Sequence, residues 1–254
     1  MRAFLAEFEK RRSEVRRYLA VMIVAERQLE KGTRRKHDEE LKIFRAGALL
    51  IIYNAVEASA RLGILAIYDE IGRTGTTFDQ LRENFRVRIL NDFKSNVGAD
   101  RFSSLRSVAI DLISSSFDPQ KIFAGNVDAK KLRDAGTTYG FETSSEYAIT
   151  QHGAHLLTVK TRRQDLAHGT ESFSEVGKQY TTEDVIRIAR YSLAYMSAVL
   201  RHIDTYLDLE GYREPKPEHP PQPTPPLVRV SAFQRAREWL SQSLARAWAA
   251  RRSQ

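Results

Sequence analysis

"LKIFRAGALLIIYNAVEASARLGILAIYDEIG", residues 41–72, decides how the rest of the chain is read. Its positions Leu49, Ile52, Val56, Gly63, Ile67 and Ile71 recur at spacings of three, four, seven, four and four, the period of an α-helix. The run is apolar around much of its circumference, which suits a helix surrounded by others rather than one with a solvated back. Its longest apolar run, residues 46–56, is 11 residues with Asn54 inside it. That is shorter than the ~20 residues a bilayer span needs, so no stable membrane insertion is expected.

The flanking segments continue the helical reading. Residues 2–30 contain no Gly or Pro and place Leu5, Phe8, Val15, Leu19, Met22 and Leu29 at helical spacing. Shorter helices are expected over 78–92 and 104–116. Another covers 126–136, "NVDAKKLRDAG", with Asp128 near its start and Gly136 at its end. Helix 153–168 buries Leu156, Leu157, Val159 and Leu166 and ends on Gly169 as a left-handed cap. A long helix over 182–210 opens with "TTED", a capping-box-like start. It aligns Val185, Ala189, Leu193, Met196, Val199, Leu200, Ile203 and Leu207, and Gly211 follows as its cap. No alternating strand pattern competes except briefly near Phe123. The expected fold is an all-α bundle.

Composition sets the outer limits. The chain has no cysteine, which removes disulfides and thiolate-bound zinc. An N-terminus with acidic residues throughout does not read as a signal peptide, and a cytoplasmic location is expected. Seven of the eight prolines lie in "PKPEHPPQPTPP", residues 215–226, a spacer that packs no core. The expected division is therefore a helical domain at 1–211, a proline-rich linker at 212–226 and an amphipathic helix at 227–254. That last segment carries six arginines against one acid, Glu238, and so holds five of the eight net positive charges. Phe233, Ala236, Leu240, Leu244 and Ala247 share one face, flanked by Trp239 and Trp248. Such a helix suits docking on its own domain, a partner's groove, nucleic-acid phosphates or an anionic membrane surface. The rest of the chain is only mildly basic, which permits a polyanionic partner without requiring one.

The segment with chemical potential is "KTRRQDLAHG", residues 160–169. One reading makes Arg162, Arg163 and His168 charge compensation at a helix C-terminus. The other takes His168 as a proton carrier beside an arginine that forks onto phosphate oxygens. Those two parts suffice for metal-independent RNA cleavage, with proton transfer at the ribose 2′-hydroxyl or the leaving oxygen and a clamp on the crowded phosphate. A second feature is the polar stripe Asn54, Glu57 and Arg61, which falls within about 60° on the second helix. It reads either as a solvated edge with a Glu57–Arg61 pair or as an acid that orients Arg163 or His168. His152 and His155 in "QHGAH" lack a third ligand at usable spacing, so no metal and no cofactor are expected. His37, His202 and His219 belong to no constellation.

"RQDLAHG" resembles the R-x4-6-H signature of the HEPN superfamily of helical domains, which includes many bacterial RNases and toxins. The similarity extends to "KIFRAGALLIIYNAVEASARLGILAIYDEI", "FAGNVDAKKLRDAGTTYGF" and "KTRRQDLAHGTESFSEVGKQYTTEDV", in the order seen in a branch encoded as tandem pairs in defence or toxin–antitoxin loci. It spans roughly residues 1–210. The resemblance implies Arg163 and His168 as the catalytic pair, with Arg162 as an alternative arginine. Asn54, Glu57, Gln164 and Asp165 stand as supporting candidates. Gln164 departs from the asparagine usual after the motif arginine. Thr170 stands where relatives silenced by nucleotide transfer carry the tyrosine of H-x-Y. The implied activity is a metal-independent endoribonuclease acting as toxin or defence effector. Its implied partners are RNA, a second HEPN-like chain in a homodimer or heterodimer, and an antitoxin. The alternative is a non-catalytic module that grips RNA or nucleotide phosphate, or silences a partner.

Overall fold

The computed structural model describes residues 1–30, 34–97, 123 and 125–215. The expected helices over 104–116 and 227–254 and most of the proline-rich linker lie outside the described residues. The described helices are α1 (Ala3–Glu30), α2 (Arg34–Thr74), α3 (Glu83–Val97), α4 (Ala129–Tyr139), the single turn α5 (Tyr147–Thr150), α6 (Ala154–His168), α7 (Phe173–Gly177) and α8 (Thr182–Asp208). No strand occurs among the described residues, and the fold is all-α.

Helix α2 is the axis of the bundle and packs against α1, α6, α7 and α8. Leu49, Ile52, Val56, Ile67 and Ile71 are buried as the spacing predicts, but so are Ala48 and Ala55 on one flank of that stripe and Tyr68 on the other. By length and composition residues 38–74 could cross a membrane, which the 11-residue run had hidden; half of the most apolar window is buried inside the protein. A helix covered on several sides by other helices needs an apolar circumference for that reason alone. At Gly63 the α8 helix comes so close that a Cβ would meet Ile203 Cδ1 at 2.9 Å.

Several boundaries depart from the sequence reading. The expected helix over 78–92 is a one-turn 3-10 segment, Phe78–Gln80, followed by α3 from Glu83. Leu81 between them turns extended, becomes fully buried and bridges antiparallel to Arg213. Arg82 N donates to Tyr212 O at 3.0 Å and Glu214 N to Gln80 O at 2.8 Å. The chain beyond α8 is thereby held to the start of α3. Tyr212 is wholly buried, and the compact unit runs Met1–Glu214, three residues past the expected boundary at 211. Gly211 is not the helix cap: α8 closes at Leu209, and the left-handed residue is Glu210, at φ +49°.

Gly136 is likewise internal to α4, which runs on to a left-handed cap at Gly140. Its missing side chain serves close packing, since a Cβ would stand 2.7 Å from the Phe141 carbonyl oxygen. Tyr68, Phe85 and Tyr139 meet edge to face, with centroids 5.1–6.0 Å apart, and join α2, α3 and α4. At the start of α8 the expected capping box is present: Thr181 Oγ1 accepts from Asp184 N at 3.1 Å and Asp184 Oδ2 accepts from Thr181 N at 3.0 Å. The apolar face named for α8 is buried throughout.

Candidate active site

Helix α6 carries the arginine–histidine segment, and local chemistry determines where it stops. Gly169 takes φ +68°, its N–H reaching Leu166 O at 3.4 Å while Thr170 N donates to Asp165 O at 2.9 Å. These two bonds are the Schellman arrangement, and they leave His168 as the last helical residue. Leu156 and Val159 are buried and Leu166 is partly so, but Leu157 is 56% exposed, against expectation. It sits one step around the helix from Leu156, off the stripe facing α2 and α8.

The two adjacent arginines have different surroundings. Arg162 is fully engaged: Nε donates to the Tyr180 hydroxyl at 3.0 Å, and Nη1 donates to Asp165 at 3.0 Å and Glu171 at 3.1 Å. It ties the end of α6 to α7 and the segment before α8. Arg163 has no hydrogen bond or ion pair among the described residues. Its guanidinium carbon lies 5.4 Å from the centre of the Tyr53 ring, a cation–π contact across to α2. The same guanidinium lies alongside Gly125, where a Cβ would stand 3.2 Å from Nη1 and Nη2. Gly125, at φ +75°, thus meets both a backbone and a space requirement.

A short stretch, residues 125–128, connects α2 to α6 through four polar contacts. Gly125 N donates to Glu57 Oε1 at 3.1 Å, and Val127 N donates to the Tyr53 hydroxyl at 3.2 Å. Gln164 Nε2 donates to Asn126 Oδ1 at 2.6 Å, and Asp128 pairs with Lys160. Burial raises the Asp128 carboxyl, but its bonds from Lys160 and the Lys131 amide outweigh that and hold it below the usual range. Burial also pushes the Tyr53 phenol up to about 12; the Val127 amide lowers it, Glu57 raises it and Arg163 lowers it. Tyr53 is therefore a neutral phenol under any physiological condition, its face available to the Arg163 cation.

Glu57 is the candidate whose two readings both have support. It pairs with Arg61 at 2.9 Å in the i, i+4 order, as a solvated edge would. Its side chain is nonetheless only 14% exposed and it anchors Gly125, the residue beside Arg163. Asn54 is exposed and lines, with Glu57, Arg61 and Arg11 from α1, a shallow groove of about 270 Å³. Asp165 belongs to Arg162. His168 is exposed at the helix end with no partner among the described residues. Five residues along a helix is about 500°, so Arg163 and His168 lie roughly 140° apart in azimuth and some 7.5 Å apart in height. Within one chain they point to different sides.

Tyr53, Asn126, Lys160 and Asp128 were missed as site-shaping residues. The signal lay in "FAGNVD", read only for its helix start and its resemblance; there the Gly125 and Val127 N–H groups meet Glu57 and Tyr53 of α2, while the Asn126 and Asp128 side chains meet Gln164 and Lys160 of the motif helix. His152 and His155 do not converge on one site. The former packs on Tyr147 and the latter stacks on Tyr191, each with ring centres 5.3 Å apart.

Comparison with known proteins gives a family-level match. The family model described as HEPN_MAE_28990-like HEPN covers residues 2–212, the whole helical unit up to Tyr212. Neither the curated proteins nor the solved structures give a match. With more than four-fifths of its length matched, and an all-α bundle presenting the Arg163–His168 motif at the end of α6, the chain belongs to the HEPN family.

Proposed function

We propose that the chain is a metal-independent endoribonuclease acting as a toxin or defence effector in the cytoplasm. The observation that carries this reading is the contrast between Arg162, held by Asp165 and Glu171, and Arg163, whose N–H edges have no partner among the described residues and lie beside Gly125 and Tyr53. An arginine with no acid against it is suited to receive a phosphate. His168, exposed at the helix end, supplies the proton transfer. The ribose 2′-oxygen attacks phosphorus as its proton passes to a base, the bond to the 5′-oxygen breaks, and that oxygen takes up a proton. The divergence of Arg163 and His168 around α6 supports a composite site in which a second HEPN-like chain, identical or related, faces the first. Two motifs then supply both proton carriers. No metal or other cofactor has a role in this scheme.

Total RNA incubated with the purified chain tests it. Cleavage should persist in EDTA, yield ends bearing a 2′,3′-cyclic phosphate or its hydrolysis product, and stop when the scissile 2′-hydroxyl is replaced by hydrogen. A requirement for divalent metal, or cleavage of the 2′-deoxy position, overturns it. One observation favours a second reading. Gln164, in place of asparagine, is taken up by Asn126, which suits a module that binds RNA or nucleotide and silences or assists a partner. Tight RNA binding without cleavage, weakened by Arg163→Ala, would select that reading.

A further inference from the structure

A concave surface of the helical unit lies away from Arg163, His168 and Glu57. It is a groove of about 590 Å³ between α1, α5 and α8. Its floor is built from Leu19, Ala189, Leu193, Ala194, Ser197 and Ala198, all aliphatic or small. Along α8 it runs from Ile186 to Arg201, four helical turns, or about 22 Å at 1.5 Å per residue. Arginines stand along its rims: Arg12 and Arg16 one turn apart on α1, and Arg190 and Arg201 on α8; Glu146 is the one acid. Arg12 is paired with Glu9 at 2.6 Å, and Arg190 lies 4.6 Å over the ring of Tyr191. Arg16 and Arg201 are exposed with no partner among the described residues.

We infer that this groove docks an acidic amphipathic helix of a partner protein. Small residues along a floor let a second helix approach closely, and the length matches a helix of about four turns. Unpaired guanidinium groups on both walls call for carboxylates on both flanks of the incoming apolar stripe. The chain's own C-terminal segment is a poor occupant, because its six arginines against Glu238 would meet like charge. Single-stranded RNA is poorly served too, since the floor offers no aromatic face for bases to stack on. This docking surface does not depend on the proposed nuclease activity.

A fluorescein-labelled 18-residue peptide tests the inference with the full chain. Leu and Ala occupy its i, i+3, i+4 and i+7 positions, and Glu fills the rest. Anisotropy should show salt-sensitive binding, weakened at least tenfold by the double variant Arg16→Glu/Arg201→Glu. Both side chains are exposed and unpartnered, so circular dichroism should show that variant folded. Ala194→Glu in the floor is the second blocking variant. A peptide of the same composition in scrambled order, or with Lys for every Glu, should not bind. Failure of the acidic peptide to bind, binding that survives both blocking variants, or equal binding by either control overturns the proposal. So does an oligouridylate that binds as tightly and loses affinity in the same variants, which would make the groove a polyanion site. Because the chain lacks cysteine, Ser197→Cys reports occupancy directly. Its thiol should react freely in the full chain alone and be protected by the acidic peptide. Protection without peptide would overturn the partner in favour of the chain's own tail, or of a second copy if protection fades on dilution.

Discussion

Arg163 places its guanidinium over the ring of Tyr53, 5.4 Å from the ring centre, while Arg162, next to it in the chain, is bound by Asp165 and Glu171. One step of about 100° around α6 separates an arginine that holds the fold together from one that lies beside Gly125 with no hydrogen bond or ion pair among the described residues. The motif spacing alone admits either as the phosphate ligand; the contacts assign them different work.

Alanine at each position should therefore give opposite signatures. Arg163→Ala and His168→Ala should each lower RNA cleavage by ~10²–10⁴-fold with little change in melting temperature, as expected for loss of a charge clamp or proton carrier. Arg162→Ala should instead cost about 1–2 kcal/mol of stability, since it strands the partly buried Asp165, leaves Glu171 with Gln179 alone and frees the Tyr180 hydroxyl, and should leave cleavage within about tenfold. Cleavage assays beside thermal melts separate the two. An inactive but stable Arg162→Ala protein would reassign the clamp.

Tyr53 supports Arg163 through its face and the 125–128 stretch through its hydroxyl. Tyr53→Phe keeps the face and removes the acceptor for Val127 N, so it should cost about 1 kcal/mol and leave most activity. Tyr53→Leu removes the cation–π contact, worth ~0.5–2 kcal/mol, and should weaken RNA binding severalfold beyond the Phe variant. Equal activity in the Phe and Leu proteins would show that the ring does not position Arg163.

Two glycines should respond to alanine for different reasons. Gly169 has no atom near its missing side chain and needs only its left-handed backbone. Gly169→Ala should cost ~1–2 kcal/mol. At Gly177 a Cβ would overlap the Lys42 carbonyl oxygen, where α7 abuts α2. Gly177→Ala should cost at least the upper part of the ~1–3 kcal/mol range for overpacking. Denaturant titration should therefore rank Gly177→Ala as the worse of the two.

Stability should also fall in mild acid because of His155. Burial, then Arg187, lowers its ring below the ordinary 6.5, its Nε2 is buried without a partner, and it stacks on Tyr191. The unfolded chain then takes up this proton before the folded one does. The contribution is complete well above the ordinary value and is lost as pH falls through it towards the lower folded one. His155→Phe should flatten melting temperature against pH across that window. An unchanged slope would place the proton uptake elsewhere.

Periodicity and cap residues are local properties, and they identified α1, α2, α6 and α8, the Thr181 capping box and the Gly169 stop. Each depends on side chains within a turn or two of one another, so a one-dimensional reading contains them. Tertiary structure decided the rest. Residues 78–92 read as one helix, yet Leu81 leaves helical geometry after one turn because Tyr212 and Arg213, some 130 residues later, offer it a bridge and a buried position. Gly136 looks like a stop and proves to be a contact point for the Phe141 carbonyl. Within "TRRQD" only Asp165, at i+3 from Arg162, distinguishes the two arginines; their other neighbours Glu171, Tyr180, Tyr53 and Gly125 come from outside the stretch. Charge pairing and close packing act between groups brought together by the fold, whereas helix period and capping act along the chain. The long helices of this protein were therefore present in its sequence, and which arginine of the motif lies unpaired among the described residues arose chiefly from the way they pack.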